Sequence, residues 1–65
     1  MKRQYKAWAI NDQGASVDVA NGKIFPSIRK AEDEARTELG GGWHVVIQSA
    51  EWGEIVKEFT IRKDV

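Results

Sequence analysis

The spacing of hydrophobic residues changes near the middle of the chain. Between residues 26 and 40, four apolar residues recur at spacings of three and four and would share one face of a helix: Ile28, Ala31, Ala35 and Leu39. Ser27 is a preferred N-cap, and Gly40 can take the left-handed conformation that ends a helix. The pattern predicts one amphipathic helix between Ser27 and Gly40, and the two alanines in its stripe allow close approach to an apolar surface.

On both sides of this helix, apolar residues alternate with polar ones, which is the period of a strand with one buried face. This pattern predicts strands at residues 4–10, 16–20, 43–49 and 54–62. The order strand, strand, helix, strand, strand predicts an α+β fold, in which a four-stranded, mostly antiparallel sheet carries the helix on one face. We expect residues 1–65 to form a single domain.

The Asn21-Gly22 dipeptide is the strongest turn signal in the chain, because both residues tolerate positive φ. This turn either closes a small hairpin with residues 23–25 or bends the second strand before the helix. Phe25 is expected to be buried in both cases. Pro26 favours extended backbone at Phe25, just ahead of the N-cap.

The first predicted strand has two faces, and the larger apolar residues decide which one we assign to the core. Trp8 and Ile10 share one face, whereas Arg3, Tyr5 and Ala7 share the other. We therefore expect Trp8 and Ile10 to pack beneath the helix. The full predicted core is Trp8, Ile10, Val17, Val19, Phe25, Ile28, Ala31, Ala35, Leu39, Val45, Ile47, Ile55, Phe59 and Ile61.

Composition narrows the classes of partner. The chain has no cysteine, which excludes disulfides and thiolate metal sites. Ten Lys plus Arg balance ten Asp plus Glu, whereas a domain that binds nucleic acid mainly through phosphates is usually basic. The apolar runs are too short for a membrane span or a signal-peptide core. We expect a cytoplasmic protein with no membrane partner, metal or cofactor.

Several of these residues together resemble a small uncharacterised domain family of bacteria and phages with β-β-α-β-β order. The matching residues are Trp8, Phe25-Pro26-Ser27, Ala31, Ala35, Val45-Val46-Ile47 and Gly53-Glu54-Ile55. The resemblance covers most of the chain and implies the same fold, but that family has no assigned activity. It usually has an Asp-Gly-like turn before the last strand, whereas Trp52-Gly53 here places a large aromatic residue at a predicted loop tip.

The sequence carries no catalytic constellation. His44 is the only histidine, and an imidazole without cysteine, a second histidine or Ser-His-Asp spacing is a poor candidate for catalysis or metal binding. The carboxylates are better explained as solvated charges on turns and strand faces. A domain of this size also has difficulty enclosing a substrate pocket. We expect no enzymatic activity.

The sheet face away from the helix is predicted to be an open platform, either an ordinary wet face or a binding surface. By alternation it would carry Arg3, Tyr5, Ala7, His44, Val46, Gln48, Val56, Thr60 and Arg62, with Glu54 and Glu58 among them. Trp52 either folds back to fill an edge of the core, which we favour, or projects as an interface anchor. We therefore predict a protein-interaction module that binds another protein or pairs strand edges with a second copy. Its predicted contact residues are Tyr5, Val46, Trp52, Val56 and Arg62.

The alternative partner is nucleic acid, bound on the open face by stacking and by basic side chains. The residues for this alternative are Arg3, Tyr5, Lys6, His44 and Arg62. Its basis is an N-terminal basic group, formed with Lys2, that would lie near Arg62 and Lys63 if the first and last strands end on the same side.

Overall fold

The computed structural model describes residues 3–62, which form one sheet layer and one helical layer. The elements are β1 (Tyr5–Ile10), β2 (Ser16–Asp18), α1 (Ile28–Glu38), β3 (His44–Ser49) and β4 (Ile55–Thr60). The strands lie in the order β2-β1-β3-β4, and every neighbouring pair is antiparallel. This confirms the predicted α+β fold with its four-stranded sheet and single α-helix.

Helix α1 begins as predicted and ends differently. The Oγ of Ser27 accepts a hydrogen bond of 3.1 Å from the backbone N–H of Lys30, which is the predicted N-cap. At the other end, Leu39 donates its N–H to the Ala35 carbonyl and then takes extended backbone, with φ −104°. The left-handed residue is Gly42, at φ +96°, just before β3. The prediction that Gly40 closes the helix is wrong, because the chain leaves α1 extended and reverses later.

Strand β1 presents its small side chains to the helix, so the predicted faces of this strand are inverted. Tyr5, Ala7 and Ala9 are buried in one apolar cluster with the helix alanines Ala31 and Ala35. Two rows of alanines bring α1 close to β1, and no room is left there for an indole ring. Trp8 and Ile10 consequently lie on the opposite face, together with Lys6. Their assignment to the core is wrong.

The rest of the core agrees largely with the sequence. Six predicted residues are buried: Val19, Phe25, Ala31, Ala35, Val45 and Ile47. Four more are partly buried and pack against these: Ile28, Leu39, Phe59 and Ile61. The predictions for Val17 and Ile55 are wrong, since both residues lie on edge strands and are exposed.

The second strand stops earlier than predicted, and the chain turns at Val19–Gly22. Ala20 and Asn21 are both left-handed, with φ of +52° and +56°. This turn buries Val19 and returns the chain to β1, where Phe25 and Tyr5 exchange backbone hydrogen bonds of 2.8 and 2.9 Å. The Asn21-Gly22 turn therefore bends the chain towards β1 rather than closing a hairpin on β2, and Phe25 is buried as expected.

Strand β4 is an edge strand that the helix covers only through long side chains. Arg36 lies over the Phe59 ring, 4.5 Å from its centroid, and Glu32 forms an ion pair with Lys57. The pairing of β3 with β4 shifts register between Ile47 and Gln48, which is a β-bulge. Because β4 is last in the sheet order, its outer side has no strand beside it within residues 3–62.

Candidate functional site

A groove lies at the end of the sheet where β1 begins and where β3 turns into β4. Its volume is about 280 Å³. It is lined by Arg3, Gln4, Tyr5, Ser49, Glu51, Trp52, Glu54 and Val56. We call this set of residues the end groove. The β3–β4 turn forms one of its walls, and the first residues of the described chain form another.

The β3–β4 turn directs the Trp52 side chain into solvent. The N–H of Gly53 donates to the Ser49 carbonyl at 2.9 Å, and the N–H of Trp52 lies 3.3 Å from Ser49 Oγ. Gly53 is left-handed at φ +72°, which lets the turn close within a few residues. The Trp52 side chain is left 82% exposed. The expectation that Trp52 folds back onto the last strand is therefore wrong.

Two exposed aliphatic residues follow Trp52 in the sequence, and one of them, Val56, lines the end groove. Ile55 is 54% exposed and Val56 is 39% exposed, both at the start of β4 beside the bulge. An exposed tryptophan with two aliphatic neighbours is unusual on a solvated surface of this size, because single exposed apolar residues are the normal case. The sequence indicated Trp52 and Val56 as contacts but assigned Ile55 to the core.

Charge in the end groove is mixed and predominantly negative. Glu51 and Glu54 flank Trp52 in the sequence, and Arg3 is the one basic residue that lines the groove. Within residues 3–62, none of these three side chains takes part in an ion pair. Glu51 and Glu54 were not among the site residues predicted from the sequence, although both lie beside the Trp-Gly turn.

The other predicted contact residues are not brought together at this groove. Tyr5 is only 8% exposed, because it belongs to the buried face of β1, and it contributes a wall rather than a projecting ring. Val46 is 3% exposed although it lies on the face away from the helix. Arg62 follows β4 at the opposite end of the sheet. The prediction that Arg3, Tyr5 and Ala7 lie on the open face is wrong.

The open face carries Lys6, Trp8 and Ile10 in place of those three residues. The β3 and β4 side chains predicted for this face, such as His44, Gln48 and Thr60, do lie opposite or beside them in the register. Trp8 Nε1 donates to Gln48 Oε1 at 2.8 Å. The face is thus partly occupied by its own cross-strand contacts.

A carboxylate, an imidazole and a hydroxyl form a chain across β3 and β4. His44 Nε2 lies 2.9 Å from Glu58 Oε1, and His44 Nδ1 lies 2.9 Å from Thr60 Oγ1. The imidazole and the carboxylate are each about half exposed on a flat surface. Thr60 is directly opposite His44, and Glu58 is its diagonal neighbour, so the chain is what cross-strand pairing produces between polar residues.

The basic residues behind the nucleic-acid alternative lie at opposite ends of the sheet. Strands β1 and β4 both run antiparallel to β3, so they run in the same direction. Arg3 and Lys6 are therefore near the start of β4, whereas Arg62 follows its end. The expectation that these groups meet is wrong for Arg3, Lys6 and Arg62; Lys2 and Lys63 lie outside the described residues.

Comparisons with protein-family models, with curated proteins and with solved structures find no match. Within residues 3–62, no group of three or more His, Asp or Glu side chains could hold a metal ion. In the same part of the chain, no helix is long and apolar enough to cross a membrane.

Proposed function

We propose that this chain is a non-enzymatic protein-interaction module of bacterial or phage type, which binds its partner at the end groove with Trp52 as the anchor. The observation that carries this proposal is the 82% exposure of Trp52 in a groove that the exposed Val56 also lines. Tryptophan is enriched among the residues that dominate binding energy at protein interfaces. The bacterial or phage origin comes from the sequence resemblance alone, and a cytoplasmic setting fits the absence of cysteine.

The groove favours an extended protein segment as the occupant. Its volume of about 280 Å³ accommodates one or two side chains rather than a whole folded surface. Trp52 and Val56 offer apolar contact, while Glu51 and Glu54 offer negative charge in the same groove as the indole ring. A segment with an apolar residue beside a lysine or arginine matches this combination, because a cation is attracted both to carboxylates and to an aromatic face.

Cross-strand pairing accounts for the exposed Glu58–His44–Thr60 chain better than catalysis does. The three groups lie on the flat face of the sheet, whereas catalysis of acyl transfer requires a shaped site that positions the substrate and stabilises an oxyanion. Their spacing follows from the strand register. We therefore assign these side chains to pairing of β3 with β4.

Nucleic acid is the alternative partner, and the position of Trp8 on the open face supports this alternative. The half-buried indole lies on the open face next to Lys6, where a base could stack. Asp18 lies directly opposite Trp8, and Glu58 lies in the same row beyond Val46; both carboxylates would repel phosphates. Titration with short single- and double-stranded oligonucleotides at low salt tests this alternative, and the absence of binding there would remove it.

Selection from a displayed library of random peptides tests the protein-interaction proposal. The wild-type domain is the bait, and the Trp52→Ala variant is used for counter-selection. We expect enriched peptides to carry a basic residue next to an apolar one. For a selected peptide, Trp52→Ala should weaken binding by about tenfold or more, which is the effect of losing an anchor residue.

Ile24→Ala is the matched control, because Ile24 is also an exposed apolar residue but does not line the groove. It should change the affinity by no more than about twofold. Enrichment of the same peptides on wild type and Trp52→Ala would overturn the proposal. Failure to enrich any peptide on the wild-type domain would count against it equally.

A further inference from the structure

The hydrogen bonds between β4 and the chain beside it show which residues of β4 direct their backbone groups towards its free edge. Ile61 directs both backbone groups towards β3, since its N–H donates to Trp43 at 2.8 Å and its carbonyl accepts from Gly42 at 2.9 Å. Backbone groups of successive residues point to alternate sides of an antiparallel strand. The N–H and carbonyl groups of Glu58 and Thr60 therefore point outward, where the sheet has no further strand within residues 3–62.

Two copies of β4 can pair with each other only in certain registers. A twofold axis that relates two antiparallel edge strands is perpendicular to the sheet, so residues directly opposite each other lie on the same face. One residue at the centre of each register is then opposite its own copy. Each register is therefore defined by its central residue. The charges that a register places opposite each other determine how favourable it is.

We propose that a second copy of this chain pairs with β4 in the register centred on Thr60. This register places Glu58 opposite Arg62 of the second copy, and Arg62 opposite Glu58 of that copy. It places Phe59 opposite Ile61 of the second copy on the helix side, where both residues pack against the core cluster. Opposite charges and apolar pairs directly across from each other both stabilise antiparallel pairing.

The registers centred on the three residues before Thr60 are less favourable. Centring on Glu58 places two glutamates opposite each other, and centring on Lys57 does the same with two lysines, which destabilises the pair. Centring on Phe59 places Glu58 opposite Thr60, so Glu58 has no opposite charge directly across from it on the second copy. Thr60 is also a residue whose backbone groups point outward, so the central pair can exchange both hydrogen bonds.

This surface is separate from the end groove, so the inference goes beyond the proposed function. The paired segment covers residues 58–62 and leaves Trp52, Ile55 and Val56 outside the contact. Because Glu58 and Arg62 are opposite charges in this register, the edge is better matched to a second copy of the chain than to an unrelated strand. A dimer formed this way has one continuous sheet with both helices on the same face.

Complementary charge reversal tests the register. In Glu58→Arg, the two opposed positions are both basic, and in Arg62→Glu they are both acidic, so each variant alone should dimerise more weakly than the wild type. A mixture of the two variants restores both charge pairs in a heterodimer. We expect sizing by light scattering at high micromolar concentration to show wild-type dimer, single-variant dissociation constants raised by about tenfold or more, and recovery in the mixture.

Asp12→Arg with Lys30→Glu is the matched control, since both residues are exposed, Asp12 between β1 and β2 and Lys30 on α1, and neither lies on β4. These variants should dimerise as the wild type does. Circular dichroism of Glu58→Arg and Arg62→Glu shows whether each is folded, and recovery of the dimer on mixing shows it independently. A monomeric wild type, or two reversed variants that fail to recover on mixing, would overturn the proposal. If Trp52→Ala dimerises as the wild type does, the β4 contact is independent of the end groove.

Discussion

The indole Nε1 of Trp8 donates a hydrogen bond of 2.8 Å to Oε1 of Gln48, across β1 and β3 on the face away from α1. Val46 is directly opposite Trp8, and the indole passes it to reach Gln48. This explains why Val46 is 3% exposed although no helix covers that face. A tryptophan outside the main core thus forms a small second apolar layer.

The inverted face of β1 predicts that a larger side chain at Ala9 is harmful. Ala9 is fully buried between the sheet and α1, in the same cluster as Ala31 and Ala35. We expect Ala9→Leu to lower the free energy of unfolding by about 1–3 kcal/mol, because the added atoms force the helix away from β1. Chemical denaturation followed by circular dichroism measures the change.

Ile10→Leu is the control for Ala9→Leu, since Ile10 is the next residue on the strand and points to the open face. Its effect should stay within about 0.5 kcal/mol. If the Ile10 variant lost more stability than the Ala9 variant, the orientation of β1 described above would be incorrect.

The alternation in β1 was visible in the sequence, but the choice of its buried face was not. A period of two separates Trp8 and Ile10 from Tyr5, Ala7 and Ala9 without stating which set is inside. The larger side chains of Trp8 and Ile10 favoured the prediction that this set is buried. The decisive factor is the pair of alanines on α1, which accept a close strand of small residues, and this match exists only once the helix is placed. The N-cap at Ser27 depends on local chemistry and was therefore predictable.

Trp52→Ala should leave stability unchanged within about 0.5 kcal/mol, because the ring has few contacts to lose at 82% exposure. Chemical denaturation of the variant measures this. Phe25→Ala is the contrasting variant, since Phe25 is buried and its truncation should cost about 3–5 kcal/mol. A loss of ~2 kcal/mol or more in Trp52→Ala would show that the indole packs against the domain in solution.

The position of Trp52 could not be derived from its residue type. A tryptophan in a turn can pack inward or outward, and the outcome depends on backbone closure by Ser49 and Gly53. Those hydrogen bonds fix the direction of the turn only after β3 and β4 have paired. Candidate contact residues were thus predictable at the turn itself, whereas the burial of Tyr5 and Val46 depended on the unresolved choice of faces.

Stability should depend on pH through Glu32. A hydrogen bond from Lys57, helped by the charges of Lys57 and Arg36 and opposed by burial, holds the pKa of Glu32 below its ordinary value of 4.5. A carboxyl whose pKa is lowered in the folded state stabilises the fold above its unfolded pKa. That contribution is lost as the pH falls through the lowered value.

Glu32→Gln measures this contribution directly. At neutral pH the variant should be less stable than wild type by under about 1 kcal/mol, since these side chains are partly exposed. The difference should shrink at acidic pH, below the lowered pKa. Glu34→Gln provides the control on the same helix. An unchanged difference between wild type and Glu32→Gln across the acidic range would contradict the assignment.

The left-handed backbone at Ala20 predicts a stabilising substitution. Ala20 has φ +52°, a conformation that strains any residue with a Cβ, while its N–H is held by Glu38 Oε1 at 2.8 Å. Ala20→Gly keeps that hydrogen bond and should raise the free energy of unfolding by roughly 0.5–1 kcal/mol. Thermal denaturation detects the shift. Ala15→Gly, at a residue without positive φ, should instead be neutral or slightly destabilising.

The two borders of the sheet are unequal, and this limits how large an assembly can grow. On the β2 side, the outer strand has only three residues, and Phe25 occupies the position next to Tyr5 that β2 does not reach. The border formed by β4 is six residues long, and no other strand lies on its outer side within residues 3–62. A protein with two equal borders can add copies without end and form fibres. With one usable border, addition stops at the second copy, so concentrated solutions of this chain should contain closed pairs rather than polymers.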